Sequence, residues 1–123
     1  MFLNVLTILV KYLVAQTLQG INDMKNLYID SDTLYEIETL TNARTDALIN
    51  NATITVQLFR KGSSVQIGVD IVMTPVGSLG NYWCVIPNSN TLYKGDEYYI
   101  TVTIVSGEYQ LTKKIELLAV WSE

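Results

Sequence analysis

The stretch whose reading decides the fold is Gly80-Asn81-Tyr82-Trp83-Cys84-Val85-Ile86-Pro87, followed closely by Leu92-Tyr93-Lys94-Gly95-Asp96-Glu97-Tyr98. Successive side chains of a strand point to opposite sides, so Tyr82, Cys84 and Ile86 share one face and Trp83 and Val85 the other. Working outward, the same alternation recurs wherever the chain is free of turn residues. Tyr35 and Ile37 face away from Glu36 and Glu38 within Thr33 to Leu40. Ile54, Val56 and Leu58 alternate with Thr53, Thr55 and Gln57, and Val65, Ile67, Val69 and Ile71 with Ser64, Gln66, Gly68 and Asp70. Tyr98, Ile100, Val102 and Ile104 alternate with Tyr99, Thr101 and Thr103, and Tyr109 to Val120 supplies the last strand region. Only a period-2 element satisfies these patterns.

Between them lie turn signals: Thr41 to Asp46, Arg60-Lys61-Gly62-Ser63, Pro75 to Gly80, Pro87 to Asn90 and Ser106-Gly107-Glu108. Leu27 to Ile29 reads as a lead-in. Six or seven strands at this spacing, with no long helical pattern among them, predict an all-β chain: a single antiparallel β-sandwich preceded by an N-terminal apolar segment.

Composition narrows the function classes. Eight Lys and Arg against twelve Asp and Glu give a formal charge of -4, the opposite of the basic balance that phosphate backbones select, so no nucleic-acid partner is expected. The basic pairs Arg60-Lys61 and Lys113-Lys114 read as solvated hairpin or strand ends. One cysteine, Cys84, leaves no partner for an intramolecular disulfide. Histidine is absent, which removes the commonest general base and transition-metal ligand. No catalytic residue, no metal and no cofactor is expected, and the chain is read as non-enzymatic.

Residues 1–23 differ in style from the rest. Phe2 to Ala15 is strongly apolar, with Lys11 inside the run. It is short of the roughly 20 uncharged residues of a membrane span, so none is expected. As a secretory signal it lacks a preceding positive charge and a small-x-small cleavage site. Beside a targeting segment, which the secreted reading would use, stands a third reading: a short apolar or amphipathic helix or extended arm that packs on a neighbouring subunit or on the sandwich itself, with Phe2, Leu6, Leu9 and Leu13 as contact candidates. Met24-Lys25-Asn26 also reads as an alternative start. Gly20-Ile21-Asn22-Asp23 separates this segment from a sandwich over residues 24–123.

The individual motifs are mostly structural. Tyr82-Trp83-Cys84 has the Tyr-x-Cys spacing of the F strand of an immunoglobulin domain, which makes Tyr82 the candidate for a hydroxyl that closes a corner. Without a second cysteine, Cys84 reads as a small buried hydrophobe. Trp83, on the opposite face, is either covered core or the anchor of a partner surface. Trp121 reads as a plug on the last strand. Asp30, Asp32, Glu36, Glu38, Asp96 and Glu97 lack the spacing of a calcium loop and read as solvated strand edges. Asn51-Ala52-Thr53 matches a glycosylation sequon, which has meaning only in a eukaryotic secretory setting.

Taken together, Leu40 to Asp46, Asn51 to Val56, Gly80-Asn81-Tyr82, Ile86-Pro87 and Leu92 to Val102 resemble the Ig-like modules of tailed-phage structural proteins. The likeness spans roughly residues 33 to 105. It implies a virion role as a decoration, neck, tail or fibre-attachment subunit, present in multiple copies or as a homo-oligomer and bound to capsid, neck or tail proteins. The alternative is a secreted or cell-surface adhesion or carbohydrate-binding module, with Tyr82, Trp83, Tyr93, Tyr98 and Tyr99 as a stacking surface.

Overall fold

The computed structural model describes residues 26–42, 45–87, 92–107 and 109–121. Among them the chain forms eight strands: β1 (Asn26–Tyr28), β2 (Thr33–Ile37), β3 (Thr53–Arg60), β4 (Gln66–Val72), β5 (Thr74–Val76), β6 (Asn81–Ile86), β7 (Glu97–Ser106) and β8 (Tyr109–Val120). Two sheets result, one of five strands in the order β1-β8-β7-β3-β4 and one of three in the order β2-β6-β5. All pairings are antiparallel except β1 with β8, where Asn26, Leu27 and Tyr28 run parallel to Leu118, Ala119 and Val120.

The alternation does what the sequence predicts on the long strands. Ile54, Val56 and Leu58 of β3, Tyr98, Ile100, Val102 and Ile104 of β7, and Ile115, Leu117 and Ala119 of β8 all point inward and are buried. They meet Tyr35 and Ile37 of β2 and Tyr82, Cys84 and Ile86 of β6 in one core, the usual inner layer of two facing sheets. With no disulfide available, this apolar layer is the main source of stability, each fully buried aliphatic side chain contributing about 1.5–3 kcal/mol.

Three details differ from the sequence reading. The count is eight strands rather than six or seven, because Leu27 sits in a true edge strand and because Thr74-Pro75-Val76 pairs with Asn81 to Trp83. Pro75 is tolerated there since β5 is an edge of its sheet, where a missing N–H costs no ladder bond. Secondly, β4 does not alternate. Val56 pairs with Ile71 and Leu58 with Ile67, which leaves Gly68, Val69 and Asp70 opposite Gln57 alone. This bulge puts Gly68 at a φ of 76° and turns Val69 out to 80% exposure. Gln57 closes it, its Nε2 donating to Gln66 Oε1 (3.1 Å) and to Asp70 Oδ1 (2.9 Å). The hydrogen bonds from Gln57 and then Gln66 hold the Asp70 carboxyl below its ordinary pKa. Finally, Trp121 is 55% exposed beyond the end of β8 and plugs nothing.

The corner also moves. Tyr82-Trp83-Cys84 lies on β6, in the three-stranded sheet, and so occupies the E position of an immunoglobulin sandwich rather than the F position. The F strand is β7. Its Tyr98 hydroxyl accepts a hydrogen bond from the Tyr93 N–H at 3.0 Å, the local return bond of a tyrosine corner, and Ile100 stands two residues on, where an antibody domain carries its second cysteine. Tyr82 makes a longer-range tie instead: its hydroxyl donates to Ile49 O (2.6 Å) and accepts from Ala52 N (3.2 Å). That anchors the loop before β3 to the start of β6.

Candidate functional site

The outer face of the five-stranded sheet is polar along most of its length, with Thr55 beside Thr103 and Gln57 beside Thr101 across β3 and β7. Its aromatic end is used internally. Phe59 and Tyr99 stack at 5.0 Å between centroids, Lys114 Nζ lies 4.3 Å from the Tyr99 centroid, and the Tyr99 hydroxyl donates to Ser63 O at 2.7 Å. These rings face each other and a lysine, so they offer no flat platform. The five aromatic residues of the carbohydrate reading do not converge: Tyr82 and Tyr98 are buried, and Trp83 and Tyr99 belong to different sheets.

The β3–β4 hairpin end carries the described ion pairs, Arg60 with Asp96 and Lys61 with Glu97. The Lys61 ammonium is raised above its ordinary pKa by the hydrogen bond and charge of Glu97. Both pairs lie at the surface, where screening by water leaves such pairs little net weight in stability. They answer the sequence reading of Asp96 and Glu97 as edge carboxylates: these two are partners of the basic hairpin. No group of three or more metal-ligating side chains occurs among the described residues.

Cys84 is 4% exposed, and burial pushes its thiol up to about 11. A thiol so placed is neutral at ordinary pH and shielded from attack, consistent with a packing role.

The outer face of the three-stranded sheet is different. β2 and β6 pair in a register that sets Leu34 against Val85 and Glu36 against Trp83, and β5 sets Thr74 on the other side of Trp83. Leu34 is 55% exposed, Trp83 38% and Val85 37%, with Val76 nearby on the edge strand. Three large apolar side chains thus form one contiguous patch on a narrow sheet, flanked by Glu36. Single exposed apolar residues are ordinary, but a cluster that includes a tryptophan is a recognised signature of a contact surface. Trp83 was legible from the sequence as a candidate; Leu34 was not singled out. The signal for it was available, since Leu34 falls on the Glu36 side of its strand. The other candidates, Phe2, Leu6, Leu9 and Leu13, lie outside the described residues, as does the whole segment 1–23. No helix among the described residues is long and apolar enough to cross a membrane.

Strand order, register and corner define the class: the chain is an immunoglobulin-like β-sandwich without a disulfide. Comparison with solved structures finds titin domain M7, at a TM-score of 0.47 and 12% identity over 83% of this chain and 90% of that one. It also finds a chimeric titin Z1Z2 functionalized with a KLER exogenous peptide from decorin, at a TM-score of 0.37 and 18% identity over 80% and 84%. No family model and no curated protein matches the chain.

Proposed function

We propose that this domain is a non-enzymatic interaction module whose contact surface is the outer face of the β2-β6-β5 sheet, centred on Trp83. The observation that carries the reading is the Leu34, Val85 and Trp83 cluster, which lies on the solvent side of a sheet whose inner side is already filled by Tyr35, Cys84 and Tyr82. These outward side chains are not needed to complete the core. Burying them against a neighbour would gain apolar area at the centre of a contact, where a tryptophan contributes most.

The finer reading is a structural subunit of a phage particle, present in many copies and bound to neighbouring capsid, neck or tail proteins. It is supported by the sequence resemblance over residues 33 to 105. A rigid sandwich with an apolar outer face and no assembled chemistry suits such a spacer.

The test is Trp83→Glu. It places a charge at the centre of the patch; because it also sets a carboxylate directly opposite Glu36 and removes a ring that is only 38% exposed, unfolding stability should fall by about 0.5–3 kcal/mol, and circular dichroism confirms that the variant is folded before binding is read. The variant is expected to lose co-sedimentation with particles purified from the native source. Incorporation at the wild-type level would remove Trp83 from the contact, and a wild-type protein absent from particles would remove the virion role.

A further inference from the structure

We propose that β8 pairs edge to edge with β8 of a second copy, antiparallel and centred on Ile115. The surface is distinct from the Trp83 patch. β1 covers β8 only from Leu118 to Val120, and no other strand among the described residues pairs with β8 on the side away from β7. The direction of the backbone groups follows from the bonds at the C-terminal end. Ala119 N donates to Asp96 O and Ala119 O accepts from Gly95 N, both on the β7 side, whereas Val120 O accepts from Ile29 N on the β1 side. Residues alternate along a strand, so the N–H and C=O groups of Thr112, Lys114 and Glu116 point to the open edge. An unpaired edge of this kind is a template for another strand.

Register is decided by charge and by β1. Pairing must stop at Leu117, because β1 holds the next residue. A two-fold axis through Ile115 makes Lys113 the mate of Leu117 and sets Lys114 opposite Glu116 of the second copy, twice over. Axes through Lys113 or Lys114 would instead set a lysine directly against its own copy, and like charges directly opposite destabilise a sheet. Lys114 and Glu116 both have exposed side chains; Lys114, which lies over the Tyr99 ring at 4.3 Å, would exchange that contact for Glu116 of the second copy. Ile115 points into the core, and beside its symmetry mate it would continue the apolar layer from one sandwich to the next. The two five-stranded sheets would then join into one.

Charge reversal tests this with the full chain by sedimentation velocity at low salt. Wild type should show a concentration-dependent dimer. Lys114→Glu and Glu116→Lys, each alone, convert two attractions into two repulsions and should weaken it about tenfold or more. Mixing these two variants, or combining both substitutions in one chain, restores opposite charges at every contact and should restore the dimer. Lys114→Pro should abolish it while leaving the fold intact, since the N–H it removes faces the open edge. A wild type that stays monomeric at millimolar concentration would overturn the proposal, as would reversals that leave the dimer unchanged or a mixture that fails to restore it. Slow amide exchange at Lys114 and Glu116 in a monomer would overturn it too, showing that another part of the chain covers the edge.

Discussion

Gly80→Ala should destabilise the domain by about 2–5 kcal/mol, combining left-handed backbone strain with lost hydrogen bonds. Gly80, the last turn residue before β6, has a φ of 73°. A Cβ built there would stand 2.7 Å from Leu40 O and 2.8 Å from Leu40 N, which are backbone atoms and cannot swing aside. The position is also a hub. Leu40 N donates to Gly80 O at 2.9 Å, Gly80 N donates to Asn50 Oδ1 at 2.6 Å, and Ile49 N donates to Leu40 O at 2.9 Å. Relieving the clash means separating these connecting segments, so the strain and the lost bonds add. Chemical denaturation would read the loss as a lower midpoint. A change within about 0.5 kcal/mol, the range of neutral surface substitutions, would show that the Leu40–Gly80 approach is looser than described.

Ile100→Ala should cost a similar amount, about 2–5 kcal/mol, for a different reason. Ile100 is fully buried at the middle of β7, between Leu58 of β3 and Ile115 of β8. It stands where a related domain would place half of a disulfide, so here packing alone joins the sheets at that point. Strands on both sides hold the backbone in place, and the vacated volume can collapse only partly. Ile100→Val, which removes one methylene, should cost about 0.5–1.5 kcal/mol, and the ratio between the two variants distinguishes a cavity from a general loss of β-propensity.

Much of the sandwich was legible because alternation is a local signal. It reported correctly which side chains of β2, β3, β6 and β7 face inward, including the separation of Trp83 from Tyr82 and Cys84, while for β8 it gave only the strand region. It does not report which strand lies beside which. Tyr82-Trp83-Cys84 and Tyr98-Tyr99-Ile100 both offer a tyrosine two residues before a buried side chain, and the bond that separates them, Tyr93 N to the Tyr98 hydroxyl, depends on a turn conformation that spacing alone does not specify. The bulge in β4 was hidden for a related reason. Its valines and isoleucines keep a perfect period in sequence, and the departure at Gly68 to Asp70 becomes visible only against the shorter run of β3. The outer apolar patch was half legible: a tryptophan on the face opposite Tyr82 and Cys84 attracts notice, while Leu34 acquires meaning only when the β2–β6 register brings it beside Val85.

The sandwich holds its fold with inward side chains, and both proposed contacts use outward ones. On the three-stranded sheet those are Leu34, Trp83 and Val85; on the β8 edge they are Lys114 and Glu116. The two surfaces use different physics, apolar burial in one case and backbone pairing steered by charge in the other. They respond to different substitutions, and salt should weaken only the second.

Hydroxyl-radical footprinting of Trp83, read by mass spectrometry on the free domain and on the protein in its native assembly, tests the central claim most directly. The account predicts that Trp83 and Leu34 are modified in the free domain and protected in the assembly, while Trp121, outside the patch, reacts comparably in both. Equal modification of Trp83 in the two states would contradict it and would place the contact elsewhere on the sandwich.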